Sequence, residues 1–191
     1  MNKIFTTSCS LLSFFILISC AHENRLKGEL KAITEFNKVG KANWFESSDG
    51  FEANKGEGFL VSKKNYTNFK LSLDFFAFPG TNSGVFFRCE EGKQIDDKNC
   101  YEVNIFDQRP DPIYRTGAIV NVAPPVGQLI AENSNWNHYE ILAFDDYLLV
   151  RLNGVETVRV RDDLHKSGGK IALQFMKGWI KFKNISIQEE N

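Results

Sequence analysis

The segment Phe69-Lys70-Leu71-Ser72-Leu73-Asp74-Phe75 alternates apolar and polar residues without a break. Successive side chains of a strand leave opposite faces, so this period of two describes a strand with one face buried and one wet. It does not build an apolar stripe on a helix. The runs Tyr147–Leu152 and Val155–Val160 flank Asn153-Gly154. That dipeptide supplies the two positive-φ positions of a tight hairpin. Val85–Cys89, Tyr101–Phe106, Trp136–Phe144, Ile171–Phe175 and Trp179–Ile187 are further short runs rich in aromatic and branched residues. Strands of this length with turn signals every few residues predict an all-β sandwich or barrel. No heptad, long amphipathic helix or internal repeat is visible.

The chain has 191 residues, one domain by size and large enough to bury a core without a metal or a dense set of disulfides. Its 23 Lys+Arg and 24 Asp+Glu nearly cancel, for a formal charge of −1. No basic patch suited to phosphates is present, so no nucleic-acid partner is expected. The 13% of aromatic residues suits an uncharged ligand that stacks on rings, such as a carbohydrate.

The N-terminus carries Lys3 and then an apolar run, Leu11–Ile18, interrupted only by Ser13. A helix that crosses a bilayer needs about 20 apolar residues, whereas a signal peptide needs roughly 7–15. The run ends in Leu17-Ile18-Ser19-Cys20, which resembles the lipobox of bacterial lipoproteins. The resemblance implies cleavage before Cys20 and acylation of its thiol, with membrane contact through the lipid only. The alternative is an ordinary cleaved signal. Ala21 after the cysteine points to the outer membrane, hence to a cell-envelope location facing the periplasm or the surface. The expected division is a signal peptide at 1–19, a lipidated tether at 20–42 with a short helical turn around Leu30–Phe36, and a β domain at 43–191.

Cys9 belongs to the signal and Cys20 to the lipid, which leaves Cys89 and Cys100 at the ends of two strand-like runs. An exported protein meets an oxidising compartment, so a disulfide across this hairpin mouth is expected. Two reduced thiols, or cysteines split across the sheet, are the alternatives. The loop Gln108–Thr116 is polar and holds Arg109, Pro110, Asp111, Pro112, Tyr114 and Arg115. Its two prolines lower the entropy cost of holding charged groups in place.

Several motifs recur in one order: Trp44, Asp49-Gly50, Asn82-Ser83-Gly84-Val85-Phe86-Phe87-Arg88, Tyr101-Glu102-Val103-Asn104-Ile105-Phe106-Asp107 and Thr116-Gly117-Ala118-Ile119. Trp136-Asn137, Leu152-Asn153-Gly154, Ile171-Ala172-Leu173-Gln174 and Phe182-Lys183-Asn184-Ile185 follow. Over residues 43–188 the set resembles the 3-keto-disaccharide hydrolase family, formerly DUF1080, with its 3-keto-glucoside lyase and hydratase activities. The resemblance implies a concanavalin-like jelly-roll sandwich of two antiparallel sheets. It also implies an enzyme that removes the C2 proton of a 3-keto sugar and expels the C1 substituent.

Such chemistry needs a base, a group to stabilise the enolate oxygen and a proton donor. Alternation on Tyr101–Phe106 turns Tyr101, Val103 and Ile105 to the core, with Glu102 and Asn104 on the open, concave face. The same rule sends Arg88 toward Glu102. The expected catalytic set is Glu102 as base or metal ligand, Asp107 as second carboxylate and Arg88 as positioner. Asn82, Asn104, Gln174, Arg109, Tyr114 and Arg115 are the expected sugar contacts. A divalent cation, if one takes part, would sit on Glu102 and Asp107. An ion pair across a hairpin is the ordinary role of an Arg and a Glu so placed. Asn82-Ser83-Gly84 alone reads as a turn, and Trp44 and Trp136-Asn137 as core and turn residues.

The sequence departs from the family pattern in Leu173-Gln174-Phe175-Met176-Lys177-Gly178, where a His commonly follows the Leu-Gln pair. Lys183 stands where Arg is common, and Val120 where an aromatic residue often follows Gly-Ala-Ile. The second expectation is therefore a non-catalytic carbohydrate-binding lipoprotein on the same sandwich.

Overall fold

A computed structural model describes residues 28–29, 35–48, 50–127, 130–131 and 133–190. The expected signal peptide and the lipidation of Cys20 lie outside the described residues. The strands are β1 (Gly28–Glu29), β2 (Phe36–Gly40), β3 (Phe45–Ser47), β4 (Gly50–Ala53), β5 (Gly58–Ser62), β6 (Phe69–Ala77), β7 (Asn82–Cys89), β8 (Tyr101–Ile105), β9 (Trp136–Phe144), β10 (Tyr147–Leu152), β11 (Val155–Arg161), β12 (Lys170–Lys177) and β13 (Ile180–Glu189).

They form two antiparallel sheets. The larger has eight strands in the order β11-β10-β9-β6-β13-β4-β3, with β1 paired to β13; the smaller has five, β2-β5-β12-β7-β8. Together they make the jelly-roll sandwich. The alternation on β6 is realised residue by residue: Phe69, Leu71, Leu73 and Phe75 are buried, and Lys70, Ser72 and Asp74 are on the outer face. At Asn153-Gly154 both φ angles are positive, +52° and +80°, as the hairpin between β10 and β11 requires.

The core lies between the sheets. Leu71, Phe75, Tyr139, Ile141 and Phe182 of the larger sheet meet Leu60, Val85, Phe87, Tyr101 and Leu173 of the smaller. Each fully buried side chain of this kind contributes about 1.5–3 kcal/mol. Trp44 is core, against Phe175 and Phe182. Trp136 is not: it lies half-buried on the outer face of the larger sheet beside Phe76, with Lys183 Nζ 3.7 Å above its ring.

The folded region begins earlier than composition suggested. Phe36–Gly40, expected within the tether, pairs with β5, with Phe36 opposite Ser62 and Gly40 opposite Gly58. Four of the five residues are exposed, so an edge strand that buries only Phe36 reads as polar chain. Of the helical turn expected around Leu30–Phe36, residues 30–34 lie outside the described residues and Phe36 opens a strand.

Cys89 and Cys100 form a disulfide that clips the β7–β8 connection. Closing so short a loop contributes about 3 kcal/mol in the chain-entropy account.

Candidate functional site

The outer face of the smaller sheet carries a cavity of about 780 Å³. Its floor follows from alternation: Phe59 and Val61 on β5, Ala172, Gln174 and Met176 on β12, Gly84 and Phe86 on β7, and Glu102 on β8 all leave the side opposite the core. Val61, Phe86, Cys89, Cys100 and Ala172 form an apolar cluster, with Phe59 and Ile95 packed on it. Phe59 and Phe86 meet edge to face, 5.5 Å between centroids. The clipped connection supplies one wall through Glu90–Asp97.

Two polar groups stand in this apolar floor. Glu102 is the cross-strand partner of Phe86, and Gln174 that of Gly84. A Cβ on Gly84 would lie 2.8 Å from Glu102 Oε1 and 3.3 Å from its Cγ, so the missing side chain is the space that the carboxyl group fills. Gly84 thus separates Glu102 from Gln174. Burial pushes the Glu102 carboxyl up to about 8; the Asp97 carboxylate adds to the rise and the Arg109 guanidinium opposes it. Gln174 is 9% exposed, and its Oε1 is buried without a hydrogen-bond partner. A carboxyl held near neutral in a cleft beside an unanswered acceptor is a physical signature of a site that handles protons or binds a donor-rich ligand.

The other expected residues do not join it. Arg88 is fully buried: Nε donates to Thr67 O (2.8 Å), Nη1 to Asp145 O (2.7 Å) and Nη2 to Asn68 Oδ1 (3.2 Å). It staples the end of β7 to the connections before β6 and after β9. The cause is a bulge. Lys170 opposes Cys89 while Ala172 opposes Phe86, so Ile171 alone faces both Phe87 and Arg88, and Arg88 takes φ +53°. The extra residue shifts the face count by one, and Cys89 takes the cavity side that plain alternation assigned to Arg88.

Asp107 pins a loop. It accepts from Thr116 Oγ1 and, 2.8 Å away, from Ala131 N. Asn104 is buried and donates to Tyr114 O, while its Oδ1 accepts from Ile105 N. Arg115 donates to Arg109 O (2.6 Å) and Pro110 O (2.9 Å), and Arg109 lies over the rings of Phe106 and Tyr114. The stiff loop is therefore tied to itself, and Arg109 acts on the cavity through its field at Glu102. Tyr114 Oη donates to Asn121 Oδ1 (2.9 Å), and Asn121 Nδ2 in turn donates to Asp97 on the rim. Asn82 opens β7 without lining the cavity. Asp107 is not among the residues lining the cavity that holds Glu102, and no group of three His, Cys, Asp or Glu suited to a metal occurs among the described residues.

Reasoning from sequence missed Gly84, read as part of a turn, although Asn82-Ser83-Gly84 runs inside a strand where Ser83 Oγ donates to Gln174 O (2.6 Å). It also missed the floor residues Phe59 and Val61 and the wall residue Asp97. The pattern Phe59-Leu60-Val61, with a glycine before it, was the available signal for the floor. After Gln174 the strand sends Met176 into the cavity, a side chain with no proton to give. Both histidines among the described residues lie outside the cavity lining. His138 sits on the larger sheet, with Nδ1 2.6 Å from Asp74 Oδ1. His165 is buried against Tyr101 with its Nδ1 3.3 Å from Glu90.

The sequence model of the 3-keto-alpha-glucoside-1,2-lyase-like domain matches residues 30–188. No curated protein matches the chain. Two proteins of Parabacteroides distasonis, both provisionally assigned as glycosyl hydrolases, share the fold. One has a TM-score of 0.75 at 18% identity over 84% of this chain and 91% of that one; the other has 0.73 at 25% over 82% and 94%. A carbohydrate-binding module from Bacillus subtilis follows at TM-score 0.62 and 17% identity, over 81% and 96%.

Proposed function

We propose, for a chain that belongs to the 3-keto-alpha-glucoside-1,2-lyase-like domain family, that the cavity on the smaller sheet takes a 3-keto-glycoside and that Glu102 moves the proton at its C2. The observation that carries this is the Glu102 carboxyl, raised to about 8 in an apolar floor. A base works best when its pKa is near the working pH.

A single carboxyl suffices if both transfers occur on one face of the ring. The ionised Glu102 takes the C2 proton, and the C–H electron pair becomes the C2=C3 bond of an enolate with its charge on the C3 oxygen. As that charge returns to re-form the C3 carbonyl, the pair moves to C1=C2 and the C1–O bond breaks. The departing oxygen takes the proton back from Glu102. The products are the free alcohol and an unsaturated 3-keto sugar, to which water can add. The Arg109 field favours the developing negative charge, Gln174 Oε1 accepts from a sugar hydroxyl, and Phe59 and Phe86 cover the apolar ring face.

The test is release of the alcohol from a 3-keto-glucoside by the purified protein and by Glu102→Gln, with and without divalent metal. Turnover that depends on Glu102 is the expected result; equal rates in both proteins sink the proposal. A second reading, a carbohydrate-binding protein without turnover, is favoured by the separation of Arg88 and Asp107 from Glu102. It predicts saturable sugar binding that Glu102→Gln leaves intact. The envelope location and the lipid on Cys20 belong to the same proposal, and labelling of the chain by a fatty acid, lost in Cys20→Ala, tests them.

A further inference from the structure

The cavity is lined by Glu57, Glu90, Glu91, Asp96, Asp97 and Glu102, against Lys93 and Lys170. Lys170 Nζ is committed to Lys63 O (2.6 Å). Asp96 Oδ1 accepts from Lys98 N, Asn99 N and Asn99 Nδ2, which makes it the cap of the clipped turn. Asp97 is held in place by Asn121 Nδ2. The lining is therefore rich in acceptors and short of positive charge, while the chain as a whole is almost neutral.

A second observation is independent of these charges. Gln174 Oε1, more than nine-tenths buried in the cavity floor, accepts no hydrogen bond from the protein. Leaving a buried acceptor unmade costs about 1–3 kcal/mol. A ligand that brings donors recovers this.

We infer that the cavity selects a cationic sugar: a glycoside in which one residue carries a free ammonium group, as a deacetylated amino sugar does. This rests on the reading of the cavity as the sugar site. An ammonium group offers three donors and no acceptor, which matches Gln174 Oε1, Glu102 and Asp97. A neutral hydroxyl satisfies the amide but leaves the carboxylates uncompensated. The positive charge has a further consequence at Glu102, whose proton burial and Asp97 retain against the opposing Arg109 guanidinium. A cation beside a carboxyl favours its ionised form. The ligand would thus convert the acid into the base at neutral pH, and an empty cavity would keep it protonated.

The experiment compares three disaccharides of similar shape on the full chain by calorimetric titration at low salt: fully deacetylated chitobiose, its N-acetylated form and cellobiose. The deacetylated form is expected to bind at least about tenfold more tightly than either neutral one, with the preference shrinking as salt is added. Asp97→Asn is expected to lower the preference, and so is Glu91→Gln, an exposed rim position that keeps the fold if Asp97→Asn does not. Equal affinities, or a preference for the acetylated sugar, overturn the inference. Turnover of a neutral 3-keto-glucoside is measured in parallel. If it depends on Glu102 while no charge preference appears, the charge selection falls and the proposed reaction stands. If the charge preference appears and no turnover is seen even above pH 8, where Glu102 is ionised without a cation, the selection holds and the reaction falls.

Discussion

On the outer face of the larger sheet, polar side chains answer one another in rows. Lys70 meets Glu140 at 2.6 Å, and Glu140 also faces Arg151. Asp74 takes His138 Nδ1 on one oxygen and Asn184 Nδ2 on the other, and His138 Nε2 lies 3.3 Å from Ser72 Oγ. On the outer face of the smaller sheet, Glu102 and Gln174 sit among Phe59, Val61 and Phe86, and Gln174 Oε1 has no partner. Both faces are built from the same period-two strands. They differ in whether the fold satisfies the polar groups that it exposes. Where it does, the row is stability of a modest kind. Where it does not, a buried acceptor is left without its hydrogen bond, at a cost of about 1–3 kcal/mol.

The largest effect that separates the faces is on turnover. Glu102→Gln is expected to lower the rate with a 3-keto-glucoside by at least about a hundredfold. Unchanged kcat would place the chemistry elsewhere.

Arg88→Ala is expected to cost about 2–4 kcal/mol in denaturant unfolding, because it leaves Thr67 O, Asp145 O and Asn68 Oδ1 unanswered in the interior. Sugar affinity in the remaining folded protein should be unchanged. A loss of affinity without loss of stability would return Arg88 to the site.

Stability as a function of pH sharpens the contrast. The folded Glu102 carboxyl, at about 8, holds its proton where the unfolded chain, near the ordinary 4.5, has lost it. The native state then binds one more proton at this group, so the contribution of Glu102 to stability is full below about 4.5, falls as pH rises and is gone above about 8. Urea unfolding at several pH values should show this decline in the wild-type chain and a weaker one in Glu102→Gln. Parallel curves would mean that Glu102 is not buried as described.

Gly84→Ala is a smaller perturbation. The added methyl sits 2.8 Å from Glu102 Oε1 and must displace it. A drop of about tenfold in kcat/KM with little change in Tm is expected, since a shift of about 1 Å in a reacting group costs up to a hundredfold. Smallest of all, His138→Ala on the larger sheet should cost less than about 1 kcal/mol and leave activity alone, as exposed pairs do. An activity loss there would erase the distinction between the faces.

Much of the architecture was legible residue by residue. The span Trp136–Phe144 and the Asn153-Gly154 hairpin are where alternation and turn chemistry put them, and Glu102 lies on the face that its place between Tyr101 and Val103 demands. These are local properties, because neighbours in sequence suffice to define them. Phe36–Gly40 was not legible, since an edge strand with one buried residue carries almost no pattern.

Sequence alone determined that this chain is all-β, a sandwich or a barrel, and that Glu102 looks outward from its strand; the two-sheet sandwich came from the family resemblance. Tertiary structure decided which polar groups meet. The register of β12 against β7 holds one extra residue, and that bulge turns Arg88 inward to three acceptors from distant connections. The ties of Thr116 and Ala131 to Asp107 take the second carboxyl away in the same manner. Period two is set by covalent geometry within a strand, whereas register and loop closure are set between strands far apart in sequence.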